Sequence, residues 1–269
     1  MTFITACCKY YFLSILLATT ACAYRPQIIK QCIPKQEQCF LPKEPARLSY
    51  DEKLIYGASW RGIPSAKLIL QIKGIEEVNN RDCYHITATA NPNSFFSIFF
   101  NVKYEVDTYI DKASGLSLKF HKKKSFGRKI SEETIIFDRD KKIAKCKFND
   151  NRKKDVEIGE NTHDLLSFLY YFRMKGLEPE GTYDFNILYA GRIWPIKMKV
   201  NGIYLMKLKG ERINVFSVRL TSELINAIIG SPALDAYVSA NEKLIPVFFT
   251  ANTRIGQSDS VLLNFDCVR

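Results

Sequence analysis

Tyr183-Asp184-Phe185-Asn186-Ile187-Leu188-Tyr189-Ala190-Gly191-Arg192-Ile193-Trp194-Pro195-Ile196-Lys197-Met198-Lys199-Val200-Asn201-Gly202 is written in period two. Tyr183, Phe185, Ile187 and Tyr189 fall on one face of an extended chain, and Trp194, Ile196, Met198 and Val200 do the same after Ala190-Gly191. Alternation of this kind marks strands that bury one face. Ala190-Gly191 predicts a hairpin. Asn201-Gly202 predicts another, because Asn-Gly is the strongest short hairpin signal.

The same rhythm continues outward in both directions. Leu54, Tyr56, Ala58 and Trp60 share a face, Arg61-Gly62-Ile63-Pro64 turns the chain, and Ala66, Leu68, Leu70 and Ile72 return. Val102, Tyr104, Val106, Thr108 and Ile110 repeat it, followed by a turn over 111–115 and by Leu116, Leu118 and Phe120. Roughly a dozen strands with few parallel crossovers and no internal repeat predict a mainly β, antiparallel sheet. One segment breaks the pattern. Asn161-Thr162-His163-Asp164 offers capping side chains, and Leu165, Leu166, Phe168, Leu169, Tyr170, Tyr171, Phe172 and Met174 run to Gly176. A helix over about 163–175, apolar on nearly every side, must be buried on nearly every side. The simplest burial is the concave face of a strongly curved sheet, where it plugs an incomplete β-barrel. Residues 223–230 predict a second, shorter helical turn.

The N-terminus has another character. Lys9 is the only charge before Arg25, and the apolar run Tyr10–Leu17 leads into small residues, the layout of a secretory signal over 1–23. Ala21-Cys22-Ala23 suits ordinary signal peptidase, whereas Thr19-Thr20-Ala21-Cys22 resembles a bacterial lipobox in which Cys22 is acylated. Both readings predict export to the periplasm; the second adds a membrane anchor. Residues 24–47, with four prolines, predict an extended tether, and 48–269 a single β-rich domain. Of the five later cysteines, Cys32 and Cys39 are placed for a local disulfide in an oxidising compartment. Metal is disfavoured, since no CxxC occurs and no histidine lies near.

Asp164-Leu165-Leu166-Ser167-Phe168-Leu169-Tyr170-Tyr171-Phe172-Arg173, with Gly181 beyond, resembles the D-x-L-S-x-x-Y-x-x-R signature of a bacterial envelope family, domain of unknown function 3108. Leu54-Ile55-Tyr56, Trp60, Gly62, Asp111 and Ile245-Pro246-Val247 extend the resemblance over about 48–265, while Ser65 or Ala66 stands where the family often has Gly. The resemblance implies an exported bacterial β-rich protein and brings no reaction. Asp164 and Arg173, at the two ends of the helix, complement its dipole. Ser167 and Tyr170 belong to the same motif. These polar groups either satisfy one another and buried backbone or form a site.

No catalytic pattern stands out. His163 beside Asp164 and Ser167 suggests a triad, but neighbours in one turn cannot put base and orienter on opposite sides of one imidazole, so capping is its expected role. There is no phosphate loop, and no cofactor is implied. The charge map says more. Between Lys119 and Lys154 stand fourteen Lys or Arg against five acids, on a chain of formal charge +11. Lys122, Lys123, Lys124, Arg128, Lys129, Lys141 and Lys142 are read as one basic surface for an anionic membrane or an envelope protein. Export removes nucleic acid from consideration, and oligomeric state stays open. Three functions follow: a non-enzymatic envelope protein holding a lipid or other apolar ligand in its curved sheet; an interaction or scaffold protein using the basic surface; and a glycan-acting hydrolase, which needs two carboxylates across a cleft.

Overall fold

The computed structural model describes residues 25–32, 48–99 and 102–264. Cys22 and Cys39, with the acylation and disulfide read for them, lie outside the described residues. Among the described residues sixteen strands form one sheet: β1 Gln27–Cys32, β2 Lys53–Trp60, β3 Ile63–Val78, β4 Arg81–Pro92, β5 Val102–Asp111, β6 Ser117–Phe126, β7 Lys129–Asp138, β8 Ile143–Phe148, β9 Lys153–Glu157, β10 Thr162–His163, β11 Thr182–Tyr189, β12 Arg192–Leu208, β13 Glu211–Thr221, β14 Ala233–Ser239, β15 Pro246–Thr253 and β16 Gly256–Leu262. The helices are α1 Ser94–Phe99, α2 Ser167–Lys175 and α3 Glu223–Ile229.

The strand order is β10-β11-β12-β13-β14-β15-β16-β2-β3-β4-β5-β6-β7-β8-β9, antiparallel throughout except that β10 lies parallel to β11. Two features of this order shape the molecule. The last strand of the chain pairs with β2, Leu262 opposite Tyr56 and Ser258 opposite Trp60. The open edges of the path are β9 and β10, which only residues 158–161 separate in the chain. The sheet therefore curls until its edges come together: Leu188 of β11 packs with Phe120, Ile135 and Phe137 of β6 and β7. This is the curved, incompletely closed antiparallel barrel that the alternation predicts, with more strands than a dozen. The additional strands include short β10 and the lysine-rich pair β8–β9, whose polar positions dilute the period-two signal.

Within the 24–47 segment read as a tether, β1 is extended but paired, Gln27 opposite Lys207 and Ile29 opposite Leu205 along the second half of β12. Asn201-Gly202 is not a turn. β12 runs straight through it, and the register against β13 slips there by one residue, a β-bulge that Gly202 accommodates at φ 123°. The real reversal comes at Lys209-Gly210, both with positive φ, as at Ala190-Gly191. The φ > 0 requirement that makes Asn-Gly a hairpin signal also makes it a bulge signal, and only the partner strand distinguishes them.

The plug helix starts later than 163. Leu166 is its N-cap and α2 begins at Ser167, while Thr162–His163 form β10. Ser167, Tyr170, Phe172 and Arg173 are its buried positions, while Leu165 and Leu169 are half-buried. Leu166 and Tyr170 pack with Leu54, Tyr56, Ile72, Ile86 and Ile110 in one core, and Phe172 joins Phe185, Ile196 and Phe216 in another. α3 has the N-cap Ser222, whose side chain accepts from the Leu224 amide, and ends at left-handed Gly230.

Candidate functional site

The motif side chains come first, because they sit deepest. Asp164 is fully buried. One carboxylate oxygen accepts from the Leu166 and Ser167 amides at 2.8 Å each, and the other accepts from Thr108 Oγ1 at 2.6 Å and from Ser117 Oγ. In return the Asp164 amide donates to Ser167 Oγ at 3.0 Å, so the two residues close a reciprocal cap. Arg139 braces the same corner, donating from Nη2 to the carbonyls of Ser117 at 2.7 Å and Thr162 at 2.9 Å. Burial lowers its pKa to about 10 even though the Asp164 charge opposes that shift.

At the other end of α2, Arg173 is 3% exposed and grips Glu52 through two bonds, 2.7 and 2.6 Å, while Nε donates to the Lys243 carbonyl at 3.1 Å. Burial alone would lower the Arg173 pKa, but the bonds and charge of Glu52 hold it above the usual guanidinium value. The dipole reading of Asp164 and Arg173 thus gives way to a tighter one, in which each side chain ties the helix to the barrel wall. Tyr170 is fully buried between them, and its hydroxyl has no partner among the described residues.

His163 is not a cap. It lies fully buried against the Tyr171 ring at 4.5 Å, neither ring nitrogen has a partner among the described residues, and burial together with Arg139 lowers its pKa to about 3. The ring is held neutral and packed as an aromatic filler. Cys83 and Cys146 are buried free thiols, each raised to about 11 chiefly by burial.

The basic surface is dispersed. Lys122 points inward: it is 7% exposed, pairs with buried Glu133 at 2.7 Å and lies 3.9 Å over the Tyr189 ring. It shares the inward parity of Phe120 on β6, so a surface role is excluded. Lys123 takes the outward parity, Lys124 lies half-buried over Tyr104, and Arg128 and Lys129 are exposed at the β6–β7 turn. Lys141 and Lys142 are exposed at the β7–β8 turn, at the opposite end of those strands.

Lys123 leads to a groove of roughly 380 Å³ on the outer face of β2–β6. Its polar lining comes from cross-strand rows. Gln71, Thr87, Asp107 and His121 are successive partners from β3 to β6, and Thr89, Glu105 and Lys123 form the row beside them. Lys53 and Lys73 add two more cations. At its margin His85 stands between two carboxylates, Nδ1 2.6 Å from Glu76 and Nε2 2.9 Å from Asp107, with its ring stacked on Tyr109 at 4.5 Å. The groove offers hydrogen bonds and mixed charge. Glu105 and Asp107 stand side by side on one strand, not across a cleft as glycoside hydrolysis requires. Among the described residues no three His, Cys, Asp or Glu side chains gather to hold a metal ion, and no helix is long and apolar enough to cross a membrane. Sequence reading found only Lys123 of this groove, since polar outward positions look the same on any solvated strand.

Fold and site together define a plugged, nearly closed antiparallel barrel whose signature residues hold the plug in place. The chain belongs to the family described as "Protein of unknown function (DUF3108)", whose model matches residues 55–263. Among solved structures it is similar to a β-barrel-like protein of domain of unknown function DUF1849 from Brucella abortus, at 9% identity and TM-score 0.49, covering 78% of this chain and 94% of that one. It is also similar to a DUF1089 family protein from Pseudomonas aeruginosa, at 11% identity and TM-score 0.35, covering 70% and 90%. A comparison with curated proteins finds no match.

Proposed function

We propose that this protein is a non-enzymatic binding protein of the bacterial cell envelope, meeting a polar partner in the groove on the outer face of β2–β6. One observation carries the reading: Asp164, Ser167, Tyr170 and Arg173 are all turned inward and used to seat the plug helix, which leaves the recognition chemistry to the outside. The secretory signal read from the sequence over 1–23 supports the envelope as its compartment. Lys53, Lys73 and Lys123 supply cations and Gln71, Thr87 and Thr89 supply hydrogen bonds for a partner bearing anionic groups.

A photo-crosslinking residue at Thr89, expressed in the cell, is expected to give a discrete adduct that disappears with Lys53→Glu and Lys123→Glu. The same probe at Lys141 is expected to give none. An adduct indifferent to the charge reversals overturns the proposal. An apolar ligand inside the sheet is the competing reading, and it requires α2 to vacate the space that Leu166 and Tyr170 fill. Native mass spectrometry of protein recovered from the envelope separates the two, because a retained acyl-chain mass favours the interior.

A further inference from the structure

Eleven large apolar side chains are exposed among the described residues, and their distribution is uneven. Successive antiparallel strands place the β2–β3, β6–β7 and β15–β16 turns, α1 and α3 at one end of the barrel. Eight of the eleven lie at that end: Ile63 after the first turn, Phe95 and Ile98 on α1, Phe126 and Ile130 around β6–β7, Ile228 and Ile229 on α3, and Ile255 in the β15–β16 turn. Ile98 is 76% exposed and Ile255 69%. We infer that this end is a docking surface for an anionic lipid leaflet, separate from the groove.

The turns make a continuous arc. The Arg254 amide donates to the Gly230 carbonyl, joining α3 to the β15–β16 turn, and the Arg61 amide donates to Gln257, joining that turn to β2–β3. The Asn93 amide then donates to Ser65, bringing in α1, and Val102 at the start of β5 pairs with Phe126 at the end of β6. Isolated exposed apolar residues are ordinary, but an arc of them at one pole marks an interaction surface.

Charge selects the occupant. Arg61, Arg128, Lys129 and Arg254 are exposed in the same turns and enter no ion pair among the described residues. Asp150 and Glu223, exposed acids of neighbouring segments, each stand by an arginine, Arg152 and Arg192. Single apolar tips on separate turns, interleaved with unpaired cations, fit a surface that accepts shallow insertion while offering negative headgroups. A protein partner would call for a contiguous, well-packed apolar centre depleted of charge. The arc lacks one.

The test is vesicle co-sedimentation with the full chain carrying Cys22→Ser, so that no acyl chain at that residue contributes and all variants share one N-terminus. Binding is expected to be stronger to vesicles of equal parts phosphatidylcholine and phosphatidylglycerol than to phosphatidylcholine alone, and to weaken with salt. Arg128→Glu with Lys129→Glu should weaken it by at least about tenfold, on the scale expected for juxtamembrane basic residues. Ile98→Glu with Ile255→Glu should do the same without lowering the unfolding midpoint; if that pair does unfold, Ile98→Ser with Ile255→Ser replaces it. Lys141→Glu with Lys142→Glu makes the same charge change at the opposite end and should leave binding nearly intact. Equal loss from the two lysine-containing pairs means attraction by net charge alone and overturns the inference. So does binding indifferent to the isoleucine changes, or self-association through this end without vesicle binding.

Discussion

The Tyr170 hydroxyl has no partner among the described residues and is fully buried, which makes its removal informative. Tyr170→Phe discards a desolvated hydroxyl and no hydrogen bond, so stability should stay within about 1 kcal/mol of the parent or rise. Tyr170→Ala opens a cavity between the barrel wall and the plug, and should cost about 3 kcal/mol or more, as for other buried aromatics. Denaturant midpoints at unchanged slope read both. His163 gives a prediction in pH. Its folded pKa is about 3 against an ordinary 6.5, so between those values the unfolded chain binds the extra proton and stability falls with acid. The contribution is fully present above about pH 6.5 and is lost progressively toward pH 3. Each pH unit inside that window costs up to about 1.4 kcal/mol from this residue. His163→Phe should remove that part of the slope, which urea unfolding at pH 7 and pH 4 will reveal as a smaller stability difference than in the parent.

Arg173 and Glu52 fasten α2 to the start of β2, and both are shielded from water, the side chains 3% and 9% exposed. Breaking such a pair strands a buried charge. Glu52→Leu alone should cost about 3–5 kcal/mol, whereas Glu52→Leu with Arg173→Leu should recover much of the loss, since no lone charge is left inside. A double-mutant cycle measures the coupling. At the bulge in β12, Gly202→Ala meets no neighbouring atom, so its expected cost of roughly 1 kcal/mol is backbone strain at positive φ. These elements mark what a sequence can disclose. The alternation of Tyr183–Val200 and the hairpin at Ala190-Gly191 are local and legible, as is an apolar helix needing a wall around it. Arg173 finds its partner 121 residues away, and no local pattern carries that. Lys122 misleads because charge overrides parity in a reading by composition, though its place two residues from Phe120 already put it inward. The outer groove is illegible for a different reason: its polar rows are assembled across five strands, each of which alone resembles any wetted surface.

For the whole molecule, the pairing of β16 with β2 is the decisive contact, joining strands nearly two hundred residues apart. A chain ending at Thr253 should lose its cooperative transition, and a peptide of residues 256–264 added in trans should restore it. Trp60 pairs with Ser258 at that junction, so its fluorescence reports the repair; recovery without the peptide would refute the expectation. Made from its N-terminus, the chain has β2 to β15 in hand before the strand that joins β15 to β2, and an unpaired strand edge is open to other strands. Timing becomes a structural requirement: until Gly256–Leu262 is available, the outer edge of β2 has no strand to pair with.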